Sequence, residues 1–389
     1  MKKKRAILSI MLALAVNVGA LAGCGGSSGS GSGDSDVIKI AIFEPLTGAN
    51  AGGGQIEKEG VDLGHKLRSE VNGKKVEIVV ADNKSDKAEA ATVAERLVSQ
   101  DKVDAVVGSW GSSLAIAAGS IFAENETTAV GASCTNPLVT LNNDYYVRVC
   151  FIDSFQGRML AKYAVEKLGA KTAAIVIEKS NDYSVGLANY FTEAMKEFTG
   201  DDNSIVATAE YSTGDQDFNA HLTQISKANP DVIFAPGNFT ESAMIIKQAR
   251  QLGIETQFIG ADTWVTPEFI EVGGDAVDGV VISTFFDPEA ELTPKTKEFV
   301  EAYEKEYGKL PADVTALAYD AYNLVLDAIE KVGTEDRAAL NEEIRNTKEW
   351  AGATGYISFD ENGDATKDVV FKTVKNGEFA YLDTIAADK

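Results

Sequence analysis

A unit of strand, helix and strand recurs in this chain at an offset of about 130 residues, and this recurrence limits the fold more than any other feature. The first copy reads as strand 37–43, helix 56–71, strand 76–81, helix 87–100, strand 103–108, helix 112–124 and strand 127–131. The assignments follow from apolar spacing: Ile56, Gly60, Leu63, Leu67 and Val71 share one helical face. The second copy reads as strand 172–177, helix 183–198, strand 205–211, helix 218–228, strand 231–235, helix 240–252 and strand 257–260. Asn229-Pro230 stops one of its helices. Strands alternating with helices form βαβ units around a parallel sheet, so the expected fold is α/β, with two similar Rossmann-like lobes.

The pattern changes after Val280. Helices are expected over 294–307, 312–332 and 335–346, then short strands over 356–359, 369–374 and 379–383. Lys375-Asn376-Gly377 reads as a hairpin turn, because Asn-Gly tolerates positive φ. This last part is too short for a third lobe and must complete the other two. About 350 residues follow Gly33, enough for two domains.

The start of the chain is an address. Lys2, Lys3, Lys4 and Arg5 precede an apolar run to Leu21, the layout of a secretory signal peptide. The run is near the lower limit for spanning a bilayer. Leu21-Ala22-Gly23-Cys24 resembles a bacterial lipobox, which implies cleavage after residue 23 and lipidation of Cys24. Residues 25–33 are only Gly and Ser, a flexible tether. The expected location is the outer face of the cytoplasmic membrane, with a Gram-positive surface favoured over a periplasm.

The formal charge is −23, and the four leader cations make the remainder more acidic still. Such a surface repels nucleic acid and anionic lipid. No Cys/His cluster suggests a metal site, and no phosphate loop, dinucleotide fingerprint or nucleophile elbow occurs. We therefore expect no cofactor, no metal and no enzyme activity. Gly52-Gly53-Gly54 reads as a flexible turn, and 82–86 as a helix-capping turn. Export permits a disulfide between Cys134 and Cys150, and the reading leans that way over two buried thiols.

In open α/β sheets, ligands bind beyond the carboxyl ends of the strands. Those ends here are rich in small and polar residues. Gly108-Ser109-Trp110-Gly111-Ser112-Ser113 ends a strand and opens a helix, where free N–H groups suit an anion. Ser112 or Ser113 also suits a helix cap. Ser133-Cys134-Thr135-Asn136-Pro137 forms a second polar loop. The second lobe offers Asn181-Asp182-Tyr183, Asn238 and Asp262-Thr263-Trp264. An anion site facing one acid and several aromatics fits a zwitterion with an apolar side chain.

Together with 40–48 (Ile-Ala-Ile-Phe-Glu-Pro-Leu-Thr-Gly), Phe151-Ile152-Asp153, Gln156-Gly157 and 257–262, these residues resemble the leucine/isoleucine/valine-binding family of ABC transporter solute receptors. The resemblance covers nearly all of the chain after the tether. It implies capture of an amino acid, branched-chain above all, by hinge closure, and delivery to a membrane permease by a monomer. It also implies three crossings near Ile152, Thr284 and Lys367. One lobe would then comprise 36–152 plus 284–366, and the other 153–283 plus 367–389. By position, Ser112, Ser113 and Thr135 would hold the ligand carboxylate, and Ser133 would add its backbone. Asp262 would meet the ammonium group and Tyr183 would contact the ligand on closure. Asp153 would stand at the first crossing and face the cleft. Asp262 stands where the family usually has glutamate, and Glu44 where it has glycine. Trp110, Asn238 and Trp264 depart from a leucine-only pocket. Rival readings are a binder of another amino acid, amide or small carboxylate, or a sensing adapter with no transport role. A hydrolase using Ser112 or Ser133 lacks a triad, and a DNA-binding regulator conflicts with export and charge.

Overall fold

The computed structural model describes residues 37–290 and 292–387. The expected signal peptide (1–23), Cys24 and the tether (24–35) lie outside them. No helix among the described residues is long and apolar enough to cross a membrane.

The first lobe is built on six strands: β1 (Val37–Glu44), β2 (Glu70–Val71), β3 (Lys74–Asp82), β4 (Ala105–Gly108), β5 (Thr128–Gly131) and β6 (Tyr146–Arg148). Their order is β2-β3-β1-β4-β5-β6, parallel except for the β2–β3 pair. Helices α1 (Ala51–Leu67), α2 (Lys87–Arg96) and α3 (Ser112–Glu124) link these strands. Asp86 caps α2 by accepting from the N–H groups of Ala88 and Glu89, as the turn at 82–86 predicted.

After β6 the chain enters the second lobe through α4 (Asp153–Glu166). There follow β7 (Ala173–Glu178), α5 (Asp182–Thr199), β8 (Ile205–Tyr211), α6 (Asn219–Ala228), β9 (Val232–Phe234), α7 (Phe239–Gln251), β10 (Gln257–Gly260), α8 (Pro267–Gly273) and β11 (Val281–Thr284). Next come α9 (Pro294–Tyr307), α10 (Asp313–Val332) and α11 (Arg337–Arg345), and a small ribbon of β12 (Trp350–Gly352) and β13 (Gly355–Ile357). The chain ends in β14 (Val369–Lys375) and β15 (Glu378–Ile385). The second sheet runs β15-β14-β11-β10-β9-β7-β8, and β14 and β15 are antiparallel additions to a parallel core. The expected hairpin turn is present, with Asn376 and Gly377 both at positive φ.

Two helices that the sequence pattern did not predict, α4 and α8, join the second lobe, and β11 extends its sheet. The segment at 52–54 is a correction. It is the first turn of α1, not a flexible turn, and its small size serves close packing. A Cβ on Gly53 would stand 2.4 Å from the Trp110 ring, and one on Gly60 would stand 2.1 Å from the Thr315 carbonyl of α10.

The expected disulfide is also corrected. Cys134 and Cys150 are free and buried. They belong to separate apolar clusters, Cys134 with Phe43, Phe122 and Tyr146, and Cys150 with Val147, Val149 and Phe151. Each thiol serves as a small apolar filler. Burial pushes the Cys134 thiol up to about 12, which suppresses the reactive thiolate.

Candidate functional site

The topology sets the site before any side chain is considered. In each lobe the strand order reverses direction beside the first strand, between β1 and β4 and between β7 and β9. Those switch points open a crevice at the carboxyl ends of the strands. A cavity between the lobes is lined by the segments that follow these strands: Asn50 after β1, Trp110 to Leu114 after β4, Glu178 to Tyr183 after β7 and Asn238 after β9.

Seven of the ten expected ligand residues line the cavity: Trp110, Ser112, Ser113, Ser133, Tyr183, Asn238 and Asp262. Thr135, Asp153 and Trp264 stand behind its wall. Thr135 and Asp153 are fully buried, and the Asp153 N–H donates to the Thr135 carbonyl at 2.9 Å. Burial, with the Asp262 charge adding to it, pushes the Asp153 carboxyl up to about 8 against the opposing effects of Thr135 and Arg148. Trp264 stacks on Phe269 at 4.9 Å and covers Gly260, so it supports the loop that carries Asp262.

Asp262 is positioned from two sides. Its Oδ1 accepts from Gln156 Nε2 at 2.7 Å and from the Tyr183 hydroxyl at 2.9 Å. Gln156 also donates to Ser283 Oγ at 2.9 Å, which ties α4 to the end of β11. Burial pushes the Asp262 carboxyl up to about 6 against the opposing effect of these two bonds. A carboxylate in this setting gains from a buried cationic partner.

On the facing lobe, α3 begins at Ser112 after Gly111, whose φ of 92° only glycine adopts freely. No side chain caps this helix, so its first N–H groups remain available. Its hydroxyls have other partners. Ser112 Oγ accepts from the Asn136 N–H at 3.1 Å and anchors the neighbouring loop. Ser113 Oγ donates to Asp182 Oδ2 on the other lobe at 2.9 Å.

More contacts cross the cleft and define a closed arrangement. Lys87 Nζ meets Asp182 Oδ2 at 2.6 Å. Asn136 Nδ2 donates to the Asp182 carbonyl at 2.8 Å, and Asn238 Nδ2 donates to Asn50 Oδ1 at 2.9 Å. Trp110 and Phe239 meet edge-on at 5.8 Å. The loop at 133–137 is held from below by buried Arg148, which donates to the carbonyls of Cys134 and Asn136 at 2.7 Å each and pairs with Asp364 at 2.6 Å.

Sequence reasoning missed Asn50, Glu178, Thr213 and Arg148, and it named Gln156 only for the family resemblance, with no role in the site. Glu178 is buried beneath the second-lobe rim, where it accepts from Asn181 Nδ2 at 3.0 Å and from the Thr213 hydroxyl. Glu178 closes a strand, and the strand-end rule could have found it. Arg148 had no such signal.

The family model described as periplasmic binding protein matches residues 37–378. A leucine-, isoleucine-, valine-, threonine- and alanine-binding protein of Pseudomonas aeruginosa is 30% identical over 337 residues, which cover 85% of this chain and 87% of that protein. Among solved structures, a leucine binding protein LivK of Thermotoga maritima is 42% identical with a TM-score of 0.87, over 90% of this chain and 99% of that one. LivJ of Streptococcus pneumoniae, a branched-chain amino acid transporter substrate binding protein solved with isoleucine, is 32% identical with a TM-score of 0.84 and the same coverage.

Proposed function

Because the chain belongs to the periplasmic binding protein family, we propose that it is the substrate-binding component of an ABC transporter, capturing an amino acid, with leucine, isoleucine and valine first in line. The observation that carries the reading is the pairing of opposite ends across one cleft. Asp262 presents a buried carboxylate from the second lobe, and α3 points uncapped N–H groups from the first. An α-amino acid carries both complementary charges on groups attached to one carbon.

In this reading the open lobes admit ligand, the start of α3 and the 133–137 loop take its carboxylate, and closure brings Asp262 over the ammonium group. Trp110 provides the apolar wall, and Asn238 closes the rim. Tyr183 and Gln156 orient Asp262, while Thr135, Asp153 and Trp264 support the loops from behind. The lobes are 36–152 plus 284–366 and 153–283 plus 367–389, and the three crossings act as the hinge. Delivery to a permease follows from the family role. The lipid anchor at Cys24, a monomeric state and a Gram-positive surface location complete the proposal. Support for the anchor comes from the leader and the Leu-Ala-Gly-Cys sequence.

Calorimetry on protein unfolded and refolded to release carried-over ligand tests the reading. Saturable binding of L-leucine, L-isoleucine or L-valine at micromolar concentrations or below is expected. Heat from none of the common amino acids would overturn it.

A further inference from the structure

Two carboxylates that the proposed mechanism leaves unused lie beneath the cleft. Glu57, on α1, is fully buried. Its Oε1 accepts from the Ser133 hydroxyl, and its carboxyl is within hydrogen-bonding reach of Glu44. Ser133 and Asp262 both line the cavity, so Glu57 stands one side chain away from it on the lobe opposite Asp262. Glu44, at the end of β1, is buried behind Glu57, and its Oε2 accepts from the Trp110 N–H at 2.6 Å.

Burial holds the Glu44 carboxyl well above the usual carboxylate range, so Glu44 is a neutral hydrogen-bond partner of Glu57, and the charge facing Glu57 is that of Asp262. Asp262 itself is held by the neutral Gln156 and Tyr183. Lys87, the cation at the cavity rim, is bound to Asp182. Arg148 is committed to Asp364 and two carbonyls. Burial, with the Asp262 charge adding to it, pushes the Glu57 carboxyl up to about 7 against the hydrogen bonds from Glu44 and Ser133. Among the described residues, no group of His, Cys, Asp and Glu has the arrangement of a metal site. An organic cation is therefore the complement that this arrangement calls for.

We propose that Glu57 of the first lobe and Asp262 of the second form a two-sided carboxylate clamp for the ligand's ammonium group, which makes closure depend on that positive charge. Closure brings two buried acids together, and like charges resist this in a desolvated cleft. A bound cation removes the resistance and so favours the closed state selectively. The clamp predicts that a carboxylate lacking an amine does not close this cleft. It rests on the amino-acid reading above.

The test uses Glu57→Gln, which keeps an acceptor for Ser133 and the side-chain volume. Calorimetry compares L-leucine with 4-methylpentanoate, the same skeleton without the amine. The clamp predicts at least about tenfold weaker L-leucine binding in E57Q, with 4-methylpentanoate unchanged or tighter. Equal losses for both ligands would overturn it. Small-angle scattering gives a readout without ligand: E57Q is expected to be more compact than the unmodified protein, and equal radii of gyration would count against the clamp. If E57Q does not fold, unmodified protein titrated with L-leucine at pH 6 in two buffers of different ionisation enthalpy replaces it. Proton release supports the clamp, and no proton exchange overturns it. Unmodified protein that ignores L-leucine would instead remove the amino-acid reading and leave scattering to decide the clamp.

Discussion

Ser113 and Asp182, on opposite lobes, exchange two hydrogen bonds: the Ser113 hydroxyl donates to Asp182 Oδ2 at 2.9 Å and accepts from the Asp182 N–H at 3.0 Å. These bonds exist only when the cleft is shut, so they weight the closed state. Lys87 adds to the same carboxylate, but both partners of that pair are about half exposed and it contributes less. Ser113→Ala removes both bonds, and each is worth about 1 kcal/mol. Ligand dissociation should accelerate by roughly thirtyfold in stopped-flow fluorescence. An unchanged off-rate would show that the contact does not hold the lobes together.

Asp262→Ala should weaken amino-acid binding by about 2–5 kcal/mol, because it leaves a buried ammonium group without its partner. Asp262→Glu should recover part of the loss. Calorimetry with L-leucine decides, and full affinity in the alanine variant would move the ammonium site elsewhere.

Arg148 is fully buried, and its removal would strand Asp364 and two loop carbonyls. We expect Arg148→Ala to cost about 3–5 kcal/mol of stability, read as a lower urea midpoint at constant slope.

Stability should fall as pH rises from about 5 to 9. Burial raises Asp153 and Asp313 from 3.8 to about 8 in the folded protein. Between those values the folded state binds more protons than the unfolded one, so raising the pH favours unfolding. The stabilisation is complete below the unfolded pKa and is lost as pH passes the folded one. Thermal melts of ligand-free protein at pH 5, 7 and 9 check this, and Asp313→Asn should flatten the profile. Melting temperatures independent of pH would contradict it.

Both thiols should be silent towards a thiol-specific reagent in native buffer and react fully in denaturant, since Cys134 and Cys150 are free and buried. A mass unchanged by reduction would agree. A shift of two protons would restore the disulfide.

Much of this architecture is readable from local pattern. The α3, β8, β10 and α9 segments lie where apolar periodicity and turn residues put them, because burial on one face leaves a one-dimensional trace. The reading lost α4 for a physical reason. Gln156 and Gly157 occupy its inward face, and Gly157 is there to let α5 approach, so the apolar stripe is broken. Glu57 was hidden in the same way. It lies on the buried side of α1 among Gly53, Gly54 and Gly60, where an acid reads as a solvated helix residue.

The sequence by itself determined that strands and helices alternate in two similar lobes, and that polar residues collect at the strand ends. Those properties depend on neighbours within a few positions along the chain. Only the tertiary structure decided that Ser113 meets Asp182, that Asp262 faces Glu57, and that the two cysteines remain free thiols. Each of these depends on how two sheets are set across a cleft, and backbone segments distant in sequence carry no local signal of which buried charges will meet.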